Sequence, residues 1–355
     1  MEDYYNTLLK HLDGYTVMGL FDGKRDITDI VTLQTGHKGR VFFFDQEPMI
    51  KSVDDKLWDY IFQEPTVFAN SEIDSADKEY VKNRYPNFVD WYYFSHGLVA
   101  REWFSAQRYN YAGWVKQQRT LLDCNLIEGF RSYRLYLIYK MYRHSVNENS
   151  YISFKGGQDW KKILHKHDPF GILDQPKKYL ERMPTENISY DNWGRDHHLD
   201  NGLMQSRIPM DFYSRVNFIL VSETLCTENK KHLTEKIFKP IVAGKPFLLA
   251  GGYKNLEYLK SYGFKTFSNY WSENYDNIFD PKDRIDSIFE SIRSINLYPV
   301  IKKEIQEKLE LISQAHDIAI ENRNYFWSNK FYNQLIDEAV KNLTKAKIEL
   351  AAKRV

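Results

Sequence analysis

The sequence predicts an α/β chain built on doubly wound parallel sheets, with a helical C-terminus. Short apolar runs recur and end in polar or Gly residues, and amphipathic segments separate them. The segment from Val216 to Gly252, VNFILVSETLCTENKKHLTEKIFKPIVAGKPFLLAGG, reads strand, loop, helix, short turn, strand. Strands that alternate with helices in this way assemble into parallel sheets.

In chain order, Thr16–Phe21 is an apolar strand ending at Asp22-Gly23. Val41–Phe44 ends at Asp45-Gln46-Glu47-Pro48. Thr66–Ala69 precedes Asn70-Ser71, and Val89–Phe94 precedes Ser95-His96-Gly97. Helices are expected between them, at Ser52–Ile61 and Ser75–Arg84. A second unit opens near Arg119 with a strand over Thr120–Ile127 and a loop over Glu128–Arg131. An amphipathic aromatic helix follows over Ser132–Arg143, with Tyr133, Tyr136, Leu137 and Lys140 at helical spacing. Tyr151–Phe154 is the next strand. Gln158–Asp211, rich in Pro, His, Asp and Gly, is an excursion with short helices at Trp160–His167 and Gln175–Arg182.

The strong pattern then resumes. Asn217–Ser222 is a strand, Thr234 is a helix N-cap with Glu235 and Lys236 in the first turn, and Gly244 closes the helix. Pro246–Ala250 is the next buried strand, and Phe264–Phe267 a further one. From Pro281 onward the chain reads helical, with apolar periodicity over Ile301–Ile320 and Phe331–Leu350.

Bulk properties narrow the function. A chain of 355 residues suits two domains. Its 49 basic residues nearly balance 48 acidic ones, which argues against coating nucleic acid by bulk electrostatics. Two cysteines, Cys124 and Cys226, make no disulfide framework and suit a cytosolic protein. The N-terminus MEDYYNTLLKHLDGY does not read as a signal peptide, and no apolar run approaches the ~20 residues of a membrane span. The expectation is a cytoplasmic protein. Its oligomeric state is left open.

The segment after Val216 also carries chemistry. Polar residues at the C-terminal edge of a parallel sheet are where such sheets bind ligands. A helix N-terminus beginning at Thr234 offers N–H groups and partial positive charge to a phosphate, and Lys236 adds a full charge. Glu235 can accept two hydrogen bonds from a vicinal diol such as a ribose. Acidic residues in a first helical turn also serve simply to complement the dipole. The loop after Thr120–Ile127 places Arg131 and Arg134 at a helix start, where they can neutralise a pyrophosphate. Asp45 and Glu47, at the end of an apolar strand, are carboxylates whose pKa burial can raise toward that of a base, unless one caps the next helix. His96 and Asp22 lie at equivalent strand ends, with His96 an alternative base. Arg195–Asp200 holds adjacent histidines, which project in different directions and chelate a metal poorly. There is no GxxxxGK[ST], GxGxxG, GxSxG or Asp-x-Asp pattern.

The pattern Ser222-Glu223, then Thr234-Glu235-Lys236, an apolar helix, Gly-Lys-Pro and a strand resembles the donor-binding segment of GT-B glycosyltransferases. It is in the style of the fucosyltransferase-like group, and is similar to glycosyltransferases encoded by tailed bacteriophages. The resemblance is specific over about 216–270, weaker over 119–155 and faint before that. It implies a GT-B architecture: two Rossmann-like domains facing across a cleft, with a helical C-terminus. Residues 1–117 would be the acceptor-side domain, 118–325 the nucleotide-sugar-binding domain, and 326–355 a helical tail that packs back on the first.

It further implies transfer of a sugar from a UDP- or GDP-sugar donor to a hydroxyl, with inversion and without a metal or other cofactor. The donor would lie against Ser222, Glu223, Thr234, Glu235, Lys236 and Arg131, with Arg134 the fallback. Glu47 would be the base, with Asp45 its competitor. The acceptor is a hydroxymethylated base in phage DNA or a cell-surface glycan. For DNA, Trp91, Tyr92, Tyr93, Trp103 and Trp114 are candidate stacking partners of an extruded base. An inactive sugar-nucleotide-binding module is the reading from a different class.

Overall fold

The computed structural model describes residues 3–21, 26–44, 53–73, 75, 77–112, 120–123, 132–152, 160–184, 208, 210–227, 230–295 and 302–353. Over these the chain is mixed α/β, with parallel-strand sheets and a helical C-terminus. The strands are β1 (Thr16–Leu20), β2 (Val31–Gln34), β3 (Arg40–Phe44), β4 (Thr66–Asn70), β5 (Phe88–Tyr93), β6 (Thr120–Asp123), β7 (Ser150–Ile152), β8 (Phe218–Ser222) and β9 (Phe247–Ala250). The early helices are α1 (Asp3–Lys10), α2 (Asp55–Ile61), α3 (Asp77–Arg84), α4 (Gly97–Trp103), α5 (Ser132–Arg143), α6 (Trp160–Leu164) and α7 (Lys177–Leu180). The later ones are α8 (Met210–Tyr213), α9 (Glu235–Ala243), α10 (Asn255–Ser261), α11 (Pro281–Ile295), α12 (Lys302–Phe326) and α13 (Asn329–Lys353). Two compact units result. One comprises Met1–Ser105, Lys230–His232 and Ser328–Val355, and the other Ala106–Asn229 and Leu233–Trp327.

The first unit holds a five-stranded sheet in the order β2-β1-β3-β4-β5. β1, β3, β4 and β5 are parallel, whereas β2 pairs antiparallel with β1 at the edge. VTLQ at β2 is short and largely exposed, so no apolar run announces it in the sequence. Pleating puts Phe42 and Phe44 on one face and Phe43 on the other. On the first face Phe42 stacks on its cross-strand neighbour Phe68, with centroids 6.3 Å apart. Trp58 of α2 fits among Phe44, Phe62, Phe68 and Tyr85, with centroids 5.3 to 6.4 Å away. Asp54 starts α2 by accepting a 2.7 Å hydrogen bond from the Lys56 N–H. α13 packs on β5 and α4, burying Phe331, Leu335, Ala339, Leu343, Ala346 and Leu350 at helical spacing. Asn342 and Lys353 of that helix donate to the Tyr93 and Phe88 carbonyls, at 3.1 and 2.8 Å.

The second unit holds an all-parallel sheet ordered β7-β6-β8-β9. α9 buries Ile237, Phe238, Ile241, Val242 and Ala243. It packs on α12, where Phe238 meets Phe326 at 5.5 Å. Gly244 ends α9 at φ 66°, a left-handed conformation that lets its N–H and that of Lys245 close back on the carbonyls of Ile241 and Pro240. α11 covers β9 and α5 with Ile285, Ile288, Phe289 and Ile292.

The strand expected at Phe264–Phe267 does not form. Both phenylalanines are buried, but side chains take the place of a pairing strand. The Lys265 N–H donates to Asn322 Oδ1 at 2.8 Å, the Asn322 amide returns to the Lys265 carbonyl at 2.8 Å, and the Phe267 N–H donates to Glu273 at 2.7 Å. Apolar residues with satisfied backbone groups read as a strand whether or not a ladder exists.

Trp58 is 1 % exposed and joins α2 to the sheet through Phe44 and Phe68. Trp58→Ala should therefore cost roughly 3–5 kcal/mol of stability, read as a lowered urea midpoint. A loss under about 1 kcal/mol would show that the aromatic cluster does not hold the first unit.

Candidate functional site

The order β7-β6-β8-β9 locates a topological switch point. From β6 the chain passes to β7 on one side, then returns to β8 on the other. The C-terminal ends of β6 and β8 flank that reversal, which is where open α/β sheets receive ligands. The loop leaving β6, with Arg131, lies outside the described residues. The loop leaving β8 begins at Ser222-Glu223.

Glu223 is wholly buried, and its carboxylate is bonded to the start of α9. Oε2 accepts from the Thr234 hydroxyl at 2.6 Å and Oε1 from the Thr234 N–H at 3.2 Å. Thr234 in turn caps the helix, its Oγ1 accepting from the Lys236 N–H at 3.2 Å. Lys236 Nζ lies 2.9 Å from Glu235 Oε1 and 3.4 Å from Thr234 Oγ1. Ser222, Glu223, Thr234, Glu235 and Lys236 thus lie together at one sheet edge. Glu235 is buried, while Lys236 keeps 24 % of its side-chain surface. Burial pushes the Glu223 carboxyl up to about 6, with the Lys236 charge opposing the rise.

Other buried groups hold this edge in place. Arg134 Nη2 donates to the carbonyls of Ser222 and Glu223 at 2.9 and 3.3 Å, and the Tyr133 hydroxyl also donates to the Glu223 carbonyl. Arg134 therefore grips the end of β8 through main-chain carbonyls. Arg284 of α11 is 1 % exposed and has no counterpart among the residues that the sequence singles out. Its guanidinium donates to the carbonyls of Gly251, Ile278 and Phe279 at 3.2, 2.6 and 2.9 Å, and to that of Cys226. One cation thus ties the loop after β8 to the loop after β9. In sequence it is one more charge in PKDRID, and only its position on the apolar face of a helix could have flagged it.

A second polar edge lies in the first unit, after β4. Glu72 is fully buried and follows Asn70-Ser71. Lys230 Nζ lies 2.5 Å from Asp77 Oδ2 and 3.5 Å from Glu72 Oε2. His232 Nδ1 is 3.2 Å from the Ser71 carbonyl, and the Ile73 N–H bonds the Lys231 carbonyl at 3.4 Å. The Glu72 carboxyl is pushed up to about 7 by burial, with Lys230 pulling the other way. His96, after β5, packs its ring on Trp103 and His232, at 6.1 and 6.2 Å. Asp45, Glu47 and Asp22 lie outside the described residues, as do Trp114 and Arg195–Asp200.

The aromatic residues of β5 do not suit an extruded base. Trp91, Tyr92 and Tyr93 are 8 %, 1 % and 6 % exposed, because β5 is covered rather than lining an open face. Trp91 packs on Phe68 and donates its indole N–H to the Glu72 carbonyl at 3.2 Å. Trp103 is half-buried against His96.

No family model, curated protein or solved structure matches the chain significantly. No helix among the described residues is long and apolar enough to cross a membrane.

Both buried carboxyls titrate above the ordinary 4.5, so the folded chain keeps protons that the unfolded chain releases. Their contribution is therefore most favourable below pH 4.5 and declines as pH rises, through about 6 for Glu223 and about 7 for Glu72. Glu72→Gln should abolish a decline of roughly 3 kcal/mol between pH 4.5 and 8, and Glu223→Gln one of roughly 2 kcal/mol. Urea denaturation across that range measures this, and variants with the parent's slope would refute it.

Proposed function

We propose that the chain is a GT-B glycosyltransferase, with two Rossmann-like units, that moves a sugar from a UDP- or GDP-sugar to a hydroxyl acceptor. The observation that carries the reading is the network Glu223–Thr234–Glu235–Lys236 at the switch point of a parallel sheet. The Glu223 carboxylate already takes the Thr234 N–H, so the bare helix tip is not the whole phosphate site. The reading instead puts the ribose diol on Glu235 and the diphosphate against Lys236 Nζ. As the sugar leaves, charge grows on the diphosphate, and a fixed cation beside it lowers the barrier without a metal. Arg131 is proposed as a second phosphate contact from the loop after β6. Arg134 serves by holding the Ser222 and Glu223 carbonyls. Glu47, Asp45 and His96 are the candidates for the base that takes the acceptor proton.

The true donor, at a hundred times its Kd, should stabilise the fold by about 2.7 kcal/mol, seen as a raised Tm in a screen of UDP-, GDP-, CMP- and dTDP-sugars. Lys236→Ala should weaken that donor about tenfold to a hundredfold, the worth of one charged hydrogen bond. A response to no sugar nucleotide, or one indifferent to Lys236→Ala, would remove the reading.

The acceptor hydroxyl belongs to a modified DNA base or to a glycan. Duplex DNA binding that weakens steeply between about 50 and 200 mM salt is expected of the first. Absent or salt-indifferent binding in a mobility-shift assay would leave the glycan. Turnover with neither acceptor, in a protein that still binds the donor, would favour a sugar-nucleotide-binding module.

A further inference from the structure

A cavity of about 600 Å³ opens in the second unit beside the C-terminal end of α9, lined by Arg108, Tyr109, Tyr111, Arg323, Asn324 and Trp327. Its size falls within the roughly 300–1,000 Å³ of small-molecule sites. It is separate from the donor residues. The nine residues of α9 put its two ends ~13 Å apart.

The lining is unusual in two respects. Tyr109 is 88 % exposed and Tyr111 49 %, so two large rings present surface to solvent, Tyr111 while also packed on His316. Among the described residues, none of the side chains that line the cavity is acidic, although two are guanidinium groups. Arg108 lies 5.9 Å from the Tyr109 ring centre and 5.8 Å from that of Trp327, and Arg323 lies 5.8 Å from that of Tyr111.

The surface is also held rigid. Arg323 donates to the carbonyls of Val242, Arg108 and Asn110, at 3.0, 2.6 and 3.1 Å. The Tyr111 hydroxyl is 2.8 Å from Nε2 of buried His316, and the two rings stack at 6.0 Å. Among the described residues Arg108 donates to no main-chain carbonyl, and it is exposed at the surface, where an incoming anion can reach it.

The lining selects the ligand. Sugars call for carboxylate and amide acceptors, and among the described residues of the lining Asn324 is the one side-chain amide. A cationic ligand would meet two like charges. Exposed aromatic faces interleaved with guanidinium groups suit a flat π-system that carries negative charge. We propose that this cavity binds a nucleotide unit, an aromatic base carrying phosphate, with Tyr109 and Tyr111 as stacking surfaces and Arg108 as the phosphate contact. The unit can be a free nucleotide or part of a single strand. The proposal stands on this cavity alone and does not depend on the glycosyltransferase reading.

Titration of tryptophan fluorescence with hexathymidylate, thymidine monophosphate and an uncharged hexasaccharide tests it. Saturable binding of a thymidylate is expected, weakened at least about tenfold in the Arg108→Ala/Tyr109→Ala double variant. Both residues are exposed, so the variant should keep its fold, which circular dichroism checks. For the hexamer, the slope of log K against log salt should also fall by about 0.7, one phosphate contact on a single strand. Tighter binding of the hexamer assigns the site to a strand, and equal binding to a free nucleotide; either upholds the base-plus-phosphate chemistry. Lys236→Ala should leave this binding intact, so a failure of the donor site and a failure here are told apart. Thymidylate binding that is absent, that the folded double variant retains in full, or that the hexasaccharide surpasses would overturn the proposal.

Discussion

The candidate site depends on one buried carboxylate. Glu223 leaves β8, enters the interior, and spends both oxygens on Thr234 at the start of α9. A buried ionised carboxylate costs several kcal/mol unless it is bonded, so this pairing cannot loosen cheaply. The same residue is held from the other side, where Tyr133 and Arg134 donate to its carbonyl. Side chain and main chain are pinned by different elements. The strand end and the helix start are thereby fixed against each other, and Glu235 and Lys236 inherit their positions from that arrangement.

The first unit uses a similar device. Glu72 lies two residues past β4 and Glu223 one past β8, each after a serine, and in each case the Glu is fully buried with a lysine close by. Burial lifts both carboxyls, and the neighbouring ammonium moderates the rise without cancelling it. Two raised acids beside two lysines link charge state to fold at both strand ends. The difference lies in what each carboxylate holds. Glu223 fixes a helix start, whereas Glu72, with Asp77, receives Lys230.

Much of the fold was legible because its strands are apolar runs of strand length. Phe42–Phe44, Val67–Ala69 and Ile219–Val221 leave little choice but burial, and Thr234 and Gly244 mark the ends of α9 by their own backbone preferences. β2 escaped notice because an exposed edge strand needs no apolar run. Phe264–Phe267 misled because Asn322, far along the chain, and Glu273, six residues past Phe267, supply bonds that a ladder would otherwise supply. At the site, the residues around Thr234 were visible because capping is local. Arg284 was invisible because its partners are main-chain carbonyls, which leave no trace in the sequence. Trp91, Tyr92 and Tyr93 looked like a ligand platform because a run of aromatic residues reads alike in a covered strand and in an open cleft.

The way α13 and Lys230–His232 complete the first unit bears on how the chain comes off the ribosome. Nearly all of the second unit is one continuous stretch, Ala106–Trp327 less three residues. The sheet that is translated first lacks the helix covering β5 until about residue 350 has emerged. Vectorial folding usually favours the N-terminal portion. Here the portion that emerges early must wait for α13 to cover the Tyr92 face of β5, whereas every residue of the later portion has been translated before that helix.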